Sequence, residues 1–188
     1  MVNSKFFFDL ADQAKIYKLP ETLEYLPEAG TGALEAGLYY RFLALLAKEL
    51  KARLFVELGT YLGSASCIVA SLNTECKVYT VDKNFRSQPA RYSVEYSNYY
   101  YLANDDLKQS VIDSIPDDID ILFIDSSHEY LQTKREYEAY RGKMNSTGII
   151  CWDDINYNND MRRFWQELKE NKIELNELHY QGFGVSWI

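Results

Sequence analysis

The chain has 188 residues, which is enough for one domain with a sizeable hydrophobic core. Acidic residues outnumber basic ones by 28 to 20, so the net charge is −8. A protein that binds nucleic acid or an anionic membrane needs a positive face, and no run of Lys or Arg exceeds two residues here. The composition therefore argues against both a nucleic acid and a membrane surface as partners.

The three cysteines are scattered and form no Cys-x-x-Cys pair, so neither a zinc site nor a disulfide framework is indicated: Cys67, Cys76 and Cys151. The apolar run within residues 1–10 is too short for a signal peptide. A second apolar run, Phe42–Leu46, is soon followed by charged residues, so no membrane span is predicted. A cytoplasmic protein is expected.

The predicted elements alternate along the chain. Apolar residues recur at helical spacing over Ala33–Leu50 and indicate an amphipathic helix. The predicted strands that follow are Leu54–Leu58, Lys77–Asp82, Tyr99–Leu102, Ile119–Asp125 and Gly148–Asp153. The predicted helices are Leu62–Leu72, part of 84–97, Asp105–Ser114, Tyr130–Arg141 and Asp160–Glu170. Last come two strands joined across Gln181-Gly182, which must be antiparallel: Ile173–Tyr180 and Phe183–Ile188.

This alternation predicts the fold class. Strands that alternate with helices form a parallel sheet with helices on both faces. We therefore expect an α/β fold with a Rossmann-like, doubly wound, mostly parallel sheet and a C-terminal antiparallel β-hairpin. One domain is expected over 1–188, with an N-terminal helical extension over 1–50 and a ligand-binding core over 51–188.

Acidic residues stand at the carboxyl ends of the predicted strands. They are Glu57, Asp82, Asp125, Asp153 and Asp154. The carboxyl ends of parallel strands form the ligand-binding edge of such a sheet, and folding alone gives no reason to collect like charges there. Gly59 and Gly63 follow the first of these acids, and a glycine turn lets a ligand approach the backbone. Together these features indicate a nucleoside-bearing cofactor.

Three motifs in chain order resemble those of a known family. Glu57–Ser66 is similar to the first motif of class I S-adenosylmethionine (SAM)-dependent methyltransferases, especially the small-molecule O-methyltransferases of the catechol and macrocin type. Phe123–Tyr130 and Gly148–Asp154 resemble the fourth- and fifth-strand motifs of that branch. Met161–Leu168 and Gly182–Val185 look like its last helix and final hairpin. The resemblance covers roughly residues 33–188 and implies a single methyltransferase domain.

The resemblance also implies how SAM would be bound. Glu57 would help to hold the ammonium of the cofactor, directly or through water, and Asp82 would accept hydrogen bonds from both ribose hydroxyls. Asn104 and Asp105 would lie beside the adenine, and Asp105 is equally suited to cap the helix that follows. The implied cofactor-binding residues are Glu57, Gly59, Thr60, Tyr61, Gly63, Ser64, Asp82, Asn104, Asp105 and Asp125.

Methyl transfer to oxygen requires that the acceptor hydroxyl lose its proton, and two devices stay open. The first is Mg²⁺ or another divalent cation, because Asp125, Asp153 and Asp154 match the metal-ligand positions of the catechol type, where the third is usually Asn. The second is a general base, for which His128 is the candidate. The implied catalytic residues are Asp125, His128 and Asp153.

Two nearby features carry less weight. The lysine usual beside the metal site of the catechol type is not evident, because Ser126 and Ser127 follow the fourth-strand acid. His179, the second of only two histidines, falls in the predicted hairpin and is expected to be structural. The acceptor site is either open or completed by a second subunit in a homodimer.

Two other functions share some of these sequence features. A dinucleotide-binding protein also uses a glycine-rich turn, but here the glycines are spaced G-x-x-x-G behind an acid, which suits a pyrophosphate poorly. The favoured function is methylation of a hydroxyl on a small molecule, such as a sugar or a natural-product intermediate. The alternative that stays open is a non-catalytic module that binds a nucleoside or SAM.

Overall fold

The computed structural model describes residues 2–24, 26 and 37–188. The helices are α1 (Ser4–Ile16), α2 (Glu21–Glu24), α3 (Leu38–Leu50), α4 (Ser64–Leu72), α5 (Ser87–Glu95), α6 (Gln109–Ser114), α7 (Tyr130–Arg141) and α8 (Asn159–Glu167). The strands are β1 (Leu54–Leu58), β2 (Lys77–Asp82), β3 (Tyr99–Ala103), β4 (Ile119–Ile124), β5 (Met144–Trp152), β6 (Asn171–Glu174) and β7 (Gly184–Trp187). Within these residues no helix has the length and apolar content needed to span a bilayer.

The seven strands form one sheet in the order β3-β2-β1-β4-β5-β7-β6. The first five are parallel, and β7 runs antiparallel to both β5 and β6. The predicted α/β class, with a mostly parallel sheet and antiparallel C-terminal strands, is therefore confirmed. The order reverses between β1 and β4, which is where ligands bind in doubly wound sheets.

Both faces of the sheet are buried. Phe55, Phe123 and Cys151 pack on one face with α1, α3 and α4. Val56 and Trp152 belong to the opposite face, which is covered by α6, α7 and α8. Successive side chains of a strand point to opposite faces, so a strand buried on both sides reads as a continuous apolar run. That is why β1 and β4 stand out in the sequence.

The helix predicted over Ala33–Leu50 is observed from Leu38, and its first residues lie outside the described part of the chain. The helix predicted from Asp105 begins at Gln109 instead. The carboxylate of Asp105 accepts a hydrogen bond from the Leu107 N–H at 3.0 Å, and this local turn replaces the first helical turn. The interpretation of Asp105 as a helix cap is therefore wrong.

The C-terminal strands are much shorter than predicted. The chain leaves β6 at Glu174 and enters β7 at Gly184, so residues 175–183 form a loop rather than a tight hairpin turn. Leu175, Leu178 and Phe183 in this loop are fully buried. These apolar residues fall within the predicted strands. Backbone hydrogen bonds such as Leu178 N–H to the Leu175 carbonyl instead form local turns.

Candidate functional site

A cavity of about 560 Å³ opens at the carboxyl edge of the parallel strands. Its walls come from the loops after β1 to β5, from α3 and from the 175–183 loop. All the residues implied for cofactor binding line it except Gly63 and Asn104. Its size is typical of a site for one small-molecule ligand or a cofactor with part of a substrate.

The two glycines of the first loop are required by the fold. Gly59 has a φ of +99°, and a Cβ there would lie 1.7 Å from the carbonyl oxygen of Asp125. Gly63 has a φ of +77°, and its Cβ would meet the Tyr99 hydroxyl at 2.7 Å. Gly59 therefore lets the loop after β1 touch the end of β4, while Gly63 packs against β3 and α5, away from the cavity.

Glu57 is buried at the end of β1, where it accepts a hydrogen bond from the Thr80 hydroxyl. Burial raises the pKa of this carboxyl to about 8, although hydrogen bonds from Ser66 and Thr80 oppose the shift. The group therefore holds a proton at neutral pH in the absence of a ligand. A cation bound beside it would favour its ionised form.

Asp82 is held at the end of β2 by two backbone groups. Its Oδ2 accepts from the Tyr61 N–H at 2.9 Å and its Oδ1 from the Asn84 N–H at 2.8 Å. Each oxygen retains a lone pair for a further donor, so the carboxylate can still receive a diol. The guanidinium of Arg86 covers the Tyr61 ring at 4.5 Å from its centroid, beside this position.

The loop after β3 contributes Asp105 and Asp106 to the cavity, not Asn104. The side-chain oxygen of Asn104 accepts from the Asp105 N–H at 3.0 Å and serves the loop itself. Sequence reasoning missed Asp106, together with Ser126 and Gln132 on the facing wall. Asp106 is the third polar residue in a row after β3, so only the loop conformation distinguishes it from its neighbours.

Five acidic and histidine side chains cluster at the other half of the cavity, and all of them except Asp154 line it. His128 Nε2 lies 3.4 Å from Asp125 Oδ1 and 3.3 Å from Asp154 Oδ2. His179 Nδ1 lies 2.9 Å from Asp153 Oδ1 and 3.2 Å from Asp154 Oδ1. The structure therefore brings Asp125, His128, Asp153 and Asp154 together, as the predicted acceptor site requires. It also adds His179 to that group.

The sequence predicts that His179 is a structural residue in a hairpin strand, but the structure places it elsewhere. It lies in the 175–183 loop, lines the cavity and hydrogen-bonds Asp153. Its ring also contacts that of Tyr39, from α3, at 5.1 Å between centroids. Histidine is rare in this chain, and that rarity could have pointed to a functional role for His179. The prediction of a strand over residues 173–180 indicated a structural role instead.

Burial and charge oppose each other in this cluster. Burial lowers the pKa of His179, but the hydrogen bonds and charges of Asp153 and Asp154 outweigh it and raise the pKa to about 10. Burial disfavours the charged form of His128 too, and Asp125 and the neighbouring carboxylates raise its pKa. Burial and the nearby Asp125 raise the pKa of Asp153 to about 7, against the effect of His179. His179 therefore carries a proton at neutral pH and offsets part of the acidic charge.

The backbone of this acidic and histidine cluster adopts rare conformations. His128 and Asp154 have φ values of +56° and +55°, in the left-handed region that non-glycine residues seldom occupy. His128 Nε2 is buried and makes no hydrogen bond within the described residues, despite the two carboxylates nearby. Residues held in rare conformations with an unsatisfied polar atom are typical of functional sites.

Two groups of donor atoms in this cluster are close enough to hold a divalent cation. Donor atoms of Asp125, His128 and Asp153 lie within 4.8 Å of one another, and so do those of Asp153, Asp154 and His179. A mixed carboxylate and imidazole set suits Mn²⁺, Fe²⁺ or Zn²⁺, whereas Mg²⁺ and Ca²⁺ prefer oxygen ligands alone. The residues therefore fit a divalent cation, and the imidazoles are an addition to the three predicted carboxylate ligands.

Comparison with known proteins agrees with this architecture. Residues 56–155, more than half of the chain, match the family model of a methyltransferase domain. The chain therefore belongs to this methyltransferase-domain family. One curated relative, uncharacterized protein R132 of Acanthamoeba polyphaga mimivirus, is 25% identical over 111 residues, covering 53% of this chain and 50% of that protein. The match thus spans about half the length of the curated relative.

Solved methyltransferases share the fold over the whole chain. The O-methyltransferase TomG of Streptomyces achromogenes, involved in tomaymycin synthesis and solved with SAM, has a TM-score of 0.69 at 17% identity, covering 100% of this chain and 99% of that one. The methyltransferase PaMTH1 of Podospora anserina, bound to SAH, gives 0.71 at 12%, covering 100% and 97%. An O-methyltransferase of Bacillus cereus with SAH gives 0.61 at 17%, covering 100% and 92%. At these low sequence identities, the similarity shows a shared fold and nothing more.

Proposed function

We propose that the chain is a SAM-dependent methyltransferase that methylates a hydroxyl group of a small molecule, such as a sugar or a natural-product intermediate. The observation that carries the proposal is the single cavity that joins the Gly59 loop and Asp82 to the two pairs of carboxylate and imidazole. Membership of the methyltransferase-domain family supports it. The shared fold of O-methyltransferases solved with SAM or SAH supports it as well.

In this proposal the first half of the cavity binds the methyl donor. The ammonium lies near Glu57, which ionises when the cation arrives, and the ribose lies on Asp82. The nucleobase lies between the loop after β3 and the wall formed by Ser126 and Gln132. The sulfonium then faces Asp125. The backbone carbonyl of Asp125 lies against Gly59, and its carboxylate belongs to the acceptor half.

In the acceptor half, His128 is the proposed general base. Its Nε2, which makes no hydrogen bond within the described residues, would accept the proton of the acceptor hydroxyl while Asp125 and Asp154 stabilise the imidazolium that forms. SAM, when bound, would supply the methyl group to the acceptor oxygen, and its sulfonium would leave as a neutral thioether. Asp153, held by His179, would position the acceptor.

A divalent cation is the alternative to this base, because an imidazole nitrogen that binds a cation cannot also accept the proton of the hydroxyl. Asp125, Asp153 and Asp154, with the imidazoles beside them, are the residues that would hold it. Such a cation supplies Lewis acidity, which lowers the pKa of a hydroxyl that it binds. Within the protein itself, His179 would orient Asp153 whether or not a cation is present.

Calorimetric titration with SAM, SAH and NAD tests the cofactor. We expect SAM and SAH to bind and NAD not to bind. Asp82→Ala removes an acceptor for both ribose hydroxyls and should weaken SAH binding at least roughly 100-fold, since hydrogen bonds to a charged group contribute about 1.5–3 kcal/mol each. Asp117→Asn, at an acid whose side chain is 78% exposed, is the matched control. Tight binding of NAD without SAH binding would overturn the proposal.

A second measurement separates the enzyme from a binding module without turnover. Asp153→Asn should leave SAH affinity within about twofold but lower methyl transfer at least 100-fold, as loss of a positioned group at the reacting oxygen does. Transfer is measured as SAH formed from SAM with a panel of hydroxylated small molecules. If the unmodified protein binds SAH but never turns over with any acceptor, the binding-module alternative is favoured.

A further inference from the structure

A buried acid lies behind the proposed nucleobase wall. Glu136 of α7 has no exposed surface and does not line the cavity. Its Oε2 accepts from the Ser126 hydroxyl at 2.8 Å, and its Oε1 accepts from the Gln132 amide at 2.8 Å. The same Gln132 nitrogen lies 3.3 Å from Asp106 Oδ1. One buried carboxyl therefore connects three residues that do line the cavity.

The Gln132 amide nitrogen lies between two carboxyls, at 2.8 Å from Glu136 Oε1 and 3.3 Å from Asp106 Oδ1, so ionisation of one disfavours ionisation of the other in this buried place. Burial and the Asp106 charge raise the pKa of Glu136 to about 8. The other titratable groups that face the pair are Asp105, on the same loop, and Tyr140 of α7, whose hydroxyl donates to the Asp106 carbonyl.

We propose that Glu136 is a positioning residue for the nucleoside: its hydrogen bonds with Ser126 and Gln132 hold these two residues, and Asp106 beyond them, in the arrangement that receives the nucleobase. The inference rests on the proposed function, because it needs the nucleoside of SAM at this wall. When Glu136 ionises, two carboxylates repel each other in a buried site. The loop after β3 then moves away from α7, and the wall loses its shape.

The test uses 5′-methylthioadenosine, which has the nucleoside but lacks the ammonium that would couple binding to Glu57. Its affinity is measured by calorimetry between pH 6.5 and 9, alongside SAH at pH 7. The variants are Glu136→Gln, which keeps a donor toward Asp106 without a titratable proton, and Glu136→Ala, which leaves the hydroxyl and amide donors without their acceptor. The matched control is Glu138→Gln, two residues along the same helix at a side chain that is 61% exposed.

In the unmodified protein and in Glu138→Gln, affinity should fall about tenfold between pH 7 and 9, as expected for the loss of one proton. In Glu136→Gln it should stay within about twofold over this range. Glu136→Ala should bind about tenfold more weakly at pH 7 while still unfolding cooperatively on heating. Parallel pH profiles for the unmodified protein and Glu136→Gln would overturn the inference. Absence of SAH binding in the unmodified protein would overturn the proposed function instead, and the inference with it.

Discussion

At the scale of single residues, Gly59 links the two halves of the cavity. Its backbone lies so close to the Asp125 carbonyl that any side chain would overlap it, and its φ is one that other residues avoid. The loop that would hold the methyl donor and the acid that would face the acceptor are therefore in direct contact. Their relative position is fixed by the fold before any ligand binds.

Gly59→Ala should consequently be among the most damaging small substitutions in the chain. We expect a loss of at least about 3 kcal/mol in the free energy of unfolding, since steric overlap adds to backbone strain. Gly142→Ala is the matched control, because Gly142 has a φ of −69° and no atom of the described residues lies within 4 Å of the added Cβ. It should change stability by less than about 1 kcal/mol. Urea unfolding measures both, and equal stability of the two variants would contradict the contact.

At the scale of elements, the N-terminus of α8 stabilises the loop that carries the proposed base, His128. Asn158 caps α8 by accepting from the Met161 N–H at 2.9 Å, and its amide donates to the His128 carbonyl at 2.9 Å. His128 has a left-handed backbone, so a hydrogen bond from outside its own loop helps to keep it there. One side chain thus begins a helix and fixes the orientation of an imidazole.

These two roles can be separated by mutation. Asn158→Ala should lose about 1 kcal/mol of stability with the cap and should also lower kcat. Asn158→Asp keeps an acceptor for the cap but has no donor for the His128 carbonyl, so stability should stay within about 0.5 kcal/mol while kcat still falls severalfold. SAM affinity should change little in both variants. A kcat for Asn158→Asp equal to that of the unmodified protein would show that the tie to His128 is unimportant.

The sequence predicts the elements that are defined by their own composition. Strands β1 and β4 are apolar except for Glu57 and Asp120, so their ends, and hence Glu57 and Asp125, could be located without the structure. His179 could not be located in this way, because its position depends on a loop whose buried leucines imitate a strand. The same holds for Glu136, whose significance comes from a link through Gln132 to a residue 30 positions earlier, Asp106.

At the scale of the whole molecule, buried carboxyls should set the pH dependence of stability. Glu57 and Glu136 both have a pKa of about 8 in the folded chain, against an ordinary value of 4.5. Between these values the folded state binds more protons than the unfolded state. Their contribution to stability is therefore fully present below pH 4.5 and is lost as the pH rises through about 8.

We expect the free energy of unfolding to decline between pH 5.5 and 7.5, by up to about 1.4 kcal/mol per pH unit for each group. The raised pKa of His179 adds a decline of the same sign above pH 6.5. Urea unfolding at pH 5.5, 6.5 and 7.5 measures the slope, and Glu57→Gln should reduce it. A slope that Glu57→Gln leaves unchanged would show that this carboxyl is ionised in the folded protein.

The position of β7 has a consequence for how the protein is made. Although β7 follows β6 in the chain, it lies between β5 and β6 in the sheet. On the ribosome, β6 therefore has no strand to pair with until residues 184–187 have been synthesised. Until then the edge of β5 is exposed as well, and unpaired strand edges invite association with other chains. The loop that carries His179 closes in the same event, so the acceptor half of the cavity is completed only after residues 184–187 have been synthesised.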